Sequence, residues 1–460
     1  MNRRDFLRNT LAMTALTPIT SLSAKIFSEE KNPGWQKGIL SEPPELLSRK
    51  LEKTSAPVVG LAVKCQRASR LYSCGEEVVF EISGYGKIQV ELSRDTAVVL
   101  MKQTAVLTKG KAFQIAGRLD EPGFLRCRVW PENSTAQKNA VHGAAGVDVE
   151  RIRPYYGEPE DFDAFWQHAF AACRRIDPDV KVNYVKELSN HIRKVYSVDL
   201  AASGRRIYGW LSVPEGNGPF PGIVLVPGAG AGYNHPNLNW LHDNRLEDKV
   251  AMLVITVHPF PLPFQCPSLE KYVRDQYEGK GYFSSGLTGN PEDFFFYRLI
   301  PGAVRMAEWF AGQPFVDPER IVYHGGSQGG FMGHFLTAFS KVFKAAQFFI
   351  PSAYCDVGGA AAGRHPAQSR IKAAADYAMS LRYYDSANAA RRIRCPILAF
   401  IGFVDDTCFP SGVYAAYNAL TCEKNVINMI DAGHAGDPRY APFAMAFLRE
   451  KLGLAAGEWV

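Results

Sequence analysis

Short apolar runs alternate with polar turns through the first third of the chain, and their spacing predicts β-structure. The runs are rich in β-branched and aromatic residues, which favours strands over helices. They are Val58–Lys64, Glu77–Ser83, Lys87–Ser93, Ala97–Leu107, Ala112–Gly117, Phe124–Trp130 and Ala140–Glu150. About seven short strands in roughly a hundred residues are typical of an immunoglobulin-like β-sandwich. We therefore predict a β-sandwich domain over residues 56–150.

The pattern changes beyond residue 151, where apolar strands recur with spacers long enough for helices. These strands are Val195–Leu200, Ile207–Val213, Gly222–Val226, Ala251–Val257, Ile321–Tyr323, Ala345–Ile350, Ile397–Ile401 and Val426–Ile430. The first two form a predicted hairpin, and helical patterns separate most of the later ones. This alternation predicts an α/β domain over residues 151–460, with a mostly parallel sheet of about eight strands.

A glycine-framed serine follows the fifth of these strands. The segment Gly325-Gly-Ser-Gln-Gly329 fits G-x-S-x-G, the nucleophile elbow of the α/β-hydrolases. A sharp turn from strand to helix would expose the Ser327 hydroxyl, and glycines on either side let the two elements approach closely. The backbone N–H of Gln328 would point to the same place, as an oxyanion donor.

A serine hydroxyl needs a base, and the base needs an acid to orient it. The α/β-hydrolases place these residues in the chain order serine, acid, histidine, each after a late strand. Asp405 is the first carboxylate after the strand Ile397–Ile401, and His434 follows Val426–Ile430 in a glycine turn. We predict Ser327, Asp405 and His434 as the catalytic residues, with Asp406 as the alternative acid.

The glycine-rich loop Pro227-Gly-Ala-Gly-Ala-Gly232 follows the third strand, where α/β-hydrolases place a second oxyanion donor. We assign that donor to the backbone N–H of Ala229. Glycine-rich loops also bind phosphates, but the Gly-Lys-Ser/Thr of a phosphate-binding loop is missing here. The nine cysteines show no metal-finger spacing either. We expect no cofactor and no metal.

Composition and charge argue against some classes of binding partner. Apolar residues make up 47% of the chain and charged residues 21%, with a net charge of +6. No basic stripe suggests nucleic acid, and no apolar run reaches the ~20 residues of a membrane span. The segment Asn2-Arg-Arg-Asp-Phe-Leu-Arg8 matches a twin-arginine export signal. We predict a signal peptide over residues 1–24 and a periplasmic or secreted protein.

Several ordered blocks resemble the acetyl xylan esterase / cephalosporin-C deacetylase family, from about residue 161 to the end. They include Gly289-Asn-Pro-Glu-Asp-Phe-Phe-Phe-Tyr-Arg298, Gly325-Gly-Ser-Gln-Gly-Gly330, Gly402-Phe-Val-Asp405 and Ser411-Gly-Val-Tyr-Ala-Ala-Tyr-Asn418. The resemblance implies that Ser327 is the nucleophile, Asp405 the acid, His434 the base and Gln328 an oxyanion donor. Residues 56–150 resemble an extra amino-terminal domain of some bacterial members.

Two loops depart from the family pattern. Pro227-Gly-Ala229 stands where the family typically has His-Gly-Tyr, and Gly433-His-Ala435 where it has Gly-His-Glu. Both changes touch the predicted pocket and leave the reacting groups in place. They bear on which acyl group or sugar is accepted.

The resulting hypothesis is a serine esterase that removes small acyl groups, foremost acetyl, from oligo- or polysaccharide hydroxyls through an acyl-enzyme. The resemblance also implies homo-oligomers. One alternative is a serine peptidase of the prolyl-oligopeptidase type, although the roughly hundred residues before the α/β domain are too few for a β-propeller. The other is a catalytically silent, exported sugar-binding protein.

Overall fold

The computed structural model describes residues 39–40, 60–135, 140–229, 246, 248–262, 282–351, 354–365 and 377–455. The predicted signal peptide, residues 1–24, lies outside the described residues. Within them, the structure contains no helix with the length and apolar character needed to cross a membrane.

Strands and helices of the described residues are numbered here in chain order. The strands are β1 (Ile39–Leu40), β2 (Ala62–Cys65), β3 (Leu71–Tyr72), β4 (Val78–Ser83), β5 (Gly86–Arg94), β6 (Val98–Leu107), β7 (Phe113–Gly117), β8 (Gly123–Pro131), β9 (Val141–Val147), β10 (Lys181–Tyr184), β11 (Arg193–Ala202), β12 (Arg205–Pro214), β13 (Phe220–Leu225), β14 (Ala251–Ile255), β15 (Val316–Gly326), β16 (Ala345–Phe349), β17 (Ile397–Gly402) and β18 (Lys424–Met429). The α-helices are α1 (Phe162–Arg174), α2 (Phe295–Ala311), α3 (Gln328–Phe339), α4 (Ala378–Leu381), α5 (Ser386–Ala390), α6 (Pro410–Ala419) and α7 (Ala441–Lys451).

A ten-stranded sheet forms the centre of the described structure, in the order β1-β18-β17-β16-β15-β13-β14-β12-β11-β10. Its strands run parallel from β1 to β14, and β12, β11 and β10 continue it antiparallel. All eight predicted strands are present, and the α/β class is confirmed. The two additional strands lie at the edges. Strand β10 is exposed along its whole length and β1 has two residues, so neither has an apolar run to reveal it.

Helices cover the parallel strands, whose central residues are buried on both faces and mainly apolar. Strand β17, for example, is fully buried from Ile397 to Gly402. On one side α1 inserts Trp166, which is 0% exposed, among aromatic rings of α3 and of the turn before α5. Its indole Nε1 donates to the carbonyl oxygen of Tyr383 at 3.0 Å, so the one polar atom of this buried ring is satisfied.

The N-terminal β segment, residues 60–147, forms two further sheets. One has the strand order β2-β4-β7 and the other β3-β9-β8-β5-β6. Both contribute to one apolar cluster, with Phe80 from the first sheet and Val90 and Val129 from the second. All seven predicted runs contain a strand. The extra strand β3 has only two residues. The immunoglobulin-like assignment and the domain limits remain predictions.

Strand β8 also packs against the α/β part. The ring of Phe124 is 0% exposed and lies 5.0 Å from Phe403 and 5.9 Å from Tyr414, measured between centroids. Phe124 and Ala144 thereby belong to the apolar core of the α/β part, not to that of their own sheets. The contact joins β8 to the loop after β17.

Replacing Trp166 tests the contribution of this core. We expect Trp166→Ala to lower the free energy of unfolding by about 3–5 kcal/mol, because a large cavity would form and the Tyr383 carbonyl would lose its donor. Urea denaturation followed by circular dichroism measures the change. Gln167→Ala is the matched control, since Gln167 is the exposed neighbour on the same helix. Equal effects of the two substitutions would contradict the prediction.

Candidate active site

Ser327 lies at the turn between strand β15 and helix α3. Its backbone has φ 52° and ψ −121°, a left-handed conformation that side-chain-bearing residues rarely adopt. The serine N–H donates to the carbonyl of Phe349 at 3.0 Å, and its own carbonyl accepts from Phe331 N at 3.1 Å. The turn is therefore held by the neighbouring strand β16 and by the first turn of the helix.

The flanking glycines are required by close backbone approach. A Cβ atom added to Gly329 would lie 2.0 Å from the carbonyl oxygen of Val226, and one added to Gly325 would lie 2.6 Å from the backbone of Gly329. Both distances are far shorter than any non-bonded contact. The pattern G-x-S-x-G thus follows from the packing of β15, α3 and the end of β13.

A continuous chain of hydrogen bonds joins the three predicted residues. The Nε2 atom of His434 lies 3.1 Å from Ser327 Oγ, and its Nδ1 atom lies 3.0 Å from Asp405 Oδ2. The other carboxylate oxygen of Asp405 accepts from the backbone N–H groups of Thr407 at 2.7 Å and Cys408 at 2.9 Å. Serine, imidazole and carboxylate are arranged so that a proton can move between the first two.

Asp405 and Asp406, the two candidates for the acid, differ in their surroundings. Asp405 is 0% exposed and bonds to the imidazole, whereas Asp406 is exposed. The N–H groups of Thr407 and Cys408 hold the Asp405 carboxylate in the interior, whereas Asp406 lies at a bend with its side chain exposed.

The charge of His434 depends on this carboxylate. Burial lowers the pKa of the imidazole, but the neighbouring Asp405 raises it by more, together with Cys408, and the resulting pKa lies well above the ordinary 6.5. The imidazolium is thus stabilised in place, as a proton acceptor from serine requires.

On the opposite side of the serine, Gln328 bridges two segments of chain. Its amide Nε2 donates to the carbonyl of Pro227 at 3.3 Å, and its Oε1 accepts from the hydroxyl of Tyr282. This contact places the start of α3 against the loop after β13, where the half-buried Ala229 follows two residues later. Gln328 and the loop containing Ala229 are therefore brought to the same side of Ser327.

Tyr282 and Cys408 are site residues that the sequence reasoning missed. The buried Cys408 thiol interacts with both His434 and Ser327, and burial raises its pKa. Cys408 is three residues from Asp405, a spacing that could have drawn attention to it. Tyr282 stands in a segment without a recognisable strand or motif, and nothing in its neighbourhood marks it.

Among the described residues, one group could hold a metal ion. Asp405, Cys408 and His434 offer a carboxylate oxygen, a sulfur and a ring nitrogen within 4.8 Å of one another. The carboxylate and both imidazole nitrogens already take part in the hydrogen-bonded chain with Ser327. The geometry therefore fits acyl transfer by serine without a metal ligand set being required.

A nucleophile elbow after the parallel strand β15, with an acid and a histidine after β17 and β18, defines the fold as that of an α/β-hydrolase. The family model described as acetyl xylan esterase (AXE1) matches residues 147–451. The chain belongs to this family and is a carboxylic ester hydrolase.

Similar proteins agree with this assignment. The chain is 28% identical over 371 residues to the acetyl esterase Axe7A of Xylanibacter ruminicola, a match covering 78% of this chain and 82% of the relative. Among solved structures, the acetyl xylan esterase of Paenibacillus sp. R4 has a TM-score of 0.54 at 24% identity, covering 66% of this chain and 98% of the other. Acetyl xylan esterase 1 of Thermoanaerobacterium sp. JW/SL YS485 also gives 0.54, at 21% identity, covering 66% and 97%. These structures support the fold.

The two carboxylates can be distinguished by mutation. We expect Asp405→Asn to lower kcat about a thousandfold or more, because the amide would favour the wrong imidazole tautomer. The matched change Asp406→Asn should stay within a few fold of the parent, as expected for an exposed side chain. Kinetics on p-nitrophenyl acetate measure both, and the reverse pattern would move the acid to Asp406.

The raised pKa of His434 predicts the pH dependence. A proton acceptor must be neutral, and the neutral fraction of His434 falls as the pH drops through its pKa. We therefore expect kcat/KM to decline with falling pH around a midpoint above 6.5. Asp405→Asn should move that midpoint down, since the charge of Asp405, together with Cys408, raises the pKa of His434 against the effect of burial. A parent midpoint at or below 6.5 would contradict the assignment.

Proposed function

We propose that the protein is a serine esterase that removes acetyl groups from carbohydrate hydroxyls through an acyl-enzyme. The observation that carries the proposal is the hydrogen-bonded chain from Ser327 through His434 to the buried Asp405. Ester hydrolysis by serine needs this set of groups, and the acetyl xylan esterase family supplies the substrate class.

The reaction follows from the geometry. Ser327 Oγ attacks the ester carbonyl carbon while its proton passes to Nε2 of His434, and Asp405 holds the resulting imidazolium. The backbone N–H groups of Gln328 and Ala229 stabilise the developing oxyanion. His434 then protonates the departing sugar oxygen, leaving acetyl-serine. Water, deprotonated by the same imidazole, releases acetate and restores Ser327.

Family membership and the site's chemistry favour this function over the two alternatives. A prolyl-oligopeptidase-type peptidase would need a propeller before the α/β part, whereas the described N-terminal β segment has sheets of three and five strands. A silent sugar-binding protein would have no use for a serine held in a left-handed conformation beside a histidine.

We infer that the acyl group is small, because the family to which the chain belongs is described as acetyl xylan esterase. The loop Pro227-Gly-Ala229 lacks the tyrosine expected in the family, so it offers less side chain to the pocket wall. Tyr282, whose hydroxyl donates to Gln328 Oε1, is an aromatic residue on the oxyanion side in this chain.

We also infer export by the twin-arginine route, from Arg3 and Arg4 and the mildly apolar segment that follows. The two-domain organisation with a limit near residue 150 is proposed on the same footing. The match to Axe7A covers 78% of the chain, more than residues 151–460 make up, so that alignment includes part of the N-terminal β segment.

Loss of the nucleophile tests the function directly. We expect Ser327→Ala to lower kcat by about a millionfold, since nucleophile and base act as one unit. Acetate release from acetylated xylan, acetylated pectin fragments and small acetylated sugars, assayed enzymatically, identifies the substrate. A fluorophosphonate probe should label the parent and not the variant. Retained acetate release by Ser327→Ala would overturn the proposal.

A further inference from the structure

Arg126 lies on strand β8 of the N-terminal β segment, yet its guanidinium points into the α/β part. The side chain is 0% exposed. Its Nη1 donates to the carbonyl oxygen of Asp405 at 2.9 Å, and its Nη2 donates to the carbonyl oxygen of Val404 at 3.1 Å. The planar fork of one arginine therefore binds two consecutive carbonyls, one of them belonging to the residue that bonds His434.

The loop that contains Asp405, residues 403–409, connects β17 to α6. After Phe403, which donates to Met429, the loop leaves the sheet. Val404 N–H donates to the carbonyl of Ala432, in the turn that carries His434, at 3.2 Å. The carbonyls on the outer side of the loop meet Arg126. The position of Asp405 is therefore set from two directions, by the histidine turn and by β8.

Packing and charge around Arg126 match this role. Phe124, two residues earlier on β8, lies edge-to-face on Phe403 at the start of the loop. Buried Asp95, at the end of β5, provides a negative charge that acts on Arg126, as do Asp405 and Asp406. A buried guanidinium without such charges would be strongly unfavourable. These charges offset part of the cost of burying the guanidinium, and burial still lowers its pKa.

We propose that Arg126 is a positioning residue for the ester hydrolysis, which holds Asp405 in line with His434 through the carbonyls of Val404 and Asp405. The N-terminal β segment is thereby part of the active site. The inference rests on the proposed function, since it assigns Arg126 an effect that passes through Asp405. It requires no contact between Arg126 and substrate.

The size of the effect follows from the geometry of proton transfer. A displacement of about 1 Å would carry Asp405 Oδ2, now 3.0 Å from His434 Nδ1, out of hydrogen-bond range. A misplacement of about 1 Å in a catalytic group costs on the order of a hundredfold in rate. Since Arg126 is fully buried and the proposed role involves no contact with substrate, KM should be little affected.

Two substitutions of Arg126 test the proposal in the full-length chain. Arg126→Met removes the fork, and we expect kcat on p-nitrophenyl acetate to fall about tenfold to a hundredfold with KM within about threefold. Arg126→Lys keeps the charge opposite Asp95 but cannot bind two carbonyls as a planar fork, so its kcat should also fall, by about tenfold. Rates are expressed per site titrated with a fluorophosphonate, which counts only folded, reactive enzyme.

The matched control is Arg128→Met. Arg128 is two residues along β8, on the same face of the strand, and forms its ion pair with Glu91 within the N-terminal β segment. Arg128→Met also removes an arginine from β8 and leaves the buried carboxylate of Glu91 without its ion pair, from a side chain that is 24% exposed where Arg126 is fully buried. We expect its kcat per titrated site to stay within about threefold of the parent.

A double-mutant cycle separates positioning from a general structural role. If Arg126 acts through Asp405, then Arg126→Met added to Asp405→Asn should lower kcat by less than about threefold beyond Asp405→Asn alone. Independent structural damage would instead multiply the two losses. The midpoint of the kcat/KM profile should also move down in Arg126→Met, toward that of Asp405→Asn, because a displaced Asp405 carboxylate raises the pKa of His434 less, while Cys408 still raises it.

The results that overturn the inference differ from those that overturn the function. Parent-like kcat in both Arg126 variants, or multiplicative losses in the cycle, would refute the positioning role while Ser327→Ala remained inactive. Retained activity of Ser327→Ala would refute the esterase mechanism whatever Arg126 did. A fall in kcat of Arg128→Met equal to that of Arg126→Met would also refute the specific role of Arg126.

Discussion

The close approach of helix α3 to the end of strand β13 governs the rest of the site. Gly329 touches the carbonyl of Val226, and no other residue type fits there, because a Cβ atom would lie 2.0 Å from that oxygen. With α3 so close, the chain can leave β15 only through a left-handed residue, Ser327. Backbone hydrogen bonds with Phe349 and Phe331 hold Ser327 in this strained conformation. Its hydroxyl oxygen lies 3.1 Å from Nε2 of His434. The position of the Ser327 hydroxyl beside His434 is thus a consequence of backbone packing.

This close contact between α3 and the end of β13 also explains how much of the site could be predicted from the sequence. Ser327, Asp405 and His434 each follow a mainly apolar strand. Ser327 and His434 stand beside a glycine, and Asp405 is the first carboxylate after the strand-ending Gly402, so local pattern was sufficient to predict them as the candidate site. The parallel sheet then brings their strand ends together without further information. Eight of the ten central strands were equally visible, since burial on both faces demands apolar runs. Strand β10, exposed throughout, is held by hydrogen bonds to β11 and has no such signature.

Tyr282, Cys408 and Arg126 could not be found in this way, because each depends on contacts distant in sequence. Arg126 meets a loop 279 residues away, and an arginine within a β-rich run gives no sign of being buried. Tyr282 reaches Gln328 from a segment without regular strands. These residues contact Ser327, Gln328, His434 or the Asp405 loop, so the part that the sequence did not predict is the surroundings of the candidate site. Arg126 also lies in a different sheet from β17, the strand before Asp405, which hid the contact between Arg126 and Asp405.

Burying Arg126 costs free energy, so the presence of this charged side chain in the core needs a physical reason. Replacement of buried charged pairs by apolar residues of similar size is often neutral or stabilising by about 1–4 kcal/mol. Asp95, fully buried with its pKa raised to about 6 by burial against the opposing effects of Ser411 and Arg126, shows the same cost on the carboxylate side. Apolar residues could join β8 to the 403–409 loop at lower cost, as Phe124 and Phe403 do beside them. They could not bind the carbonyls of Val404 and Asp405. The Val404 N–H donates to Ala432 in the histidine turn, and the Asp405 carboxylate bonds His434. The two carbonyls require a donor with two parallel N–H groups. This requirement explains why the guanidinium of Arg126 lies in the core.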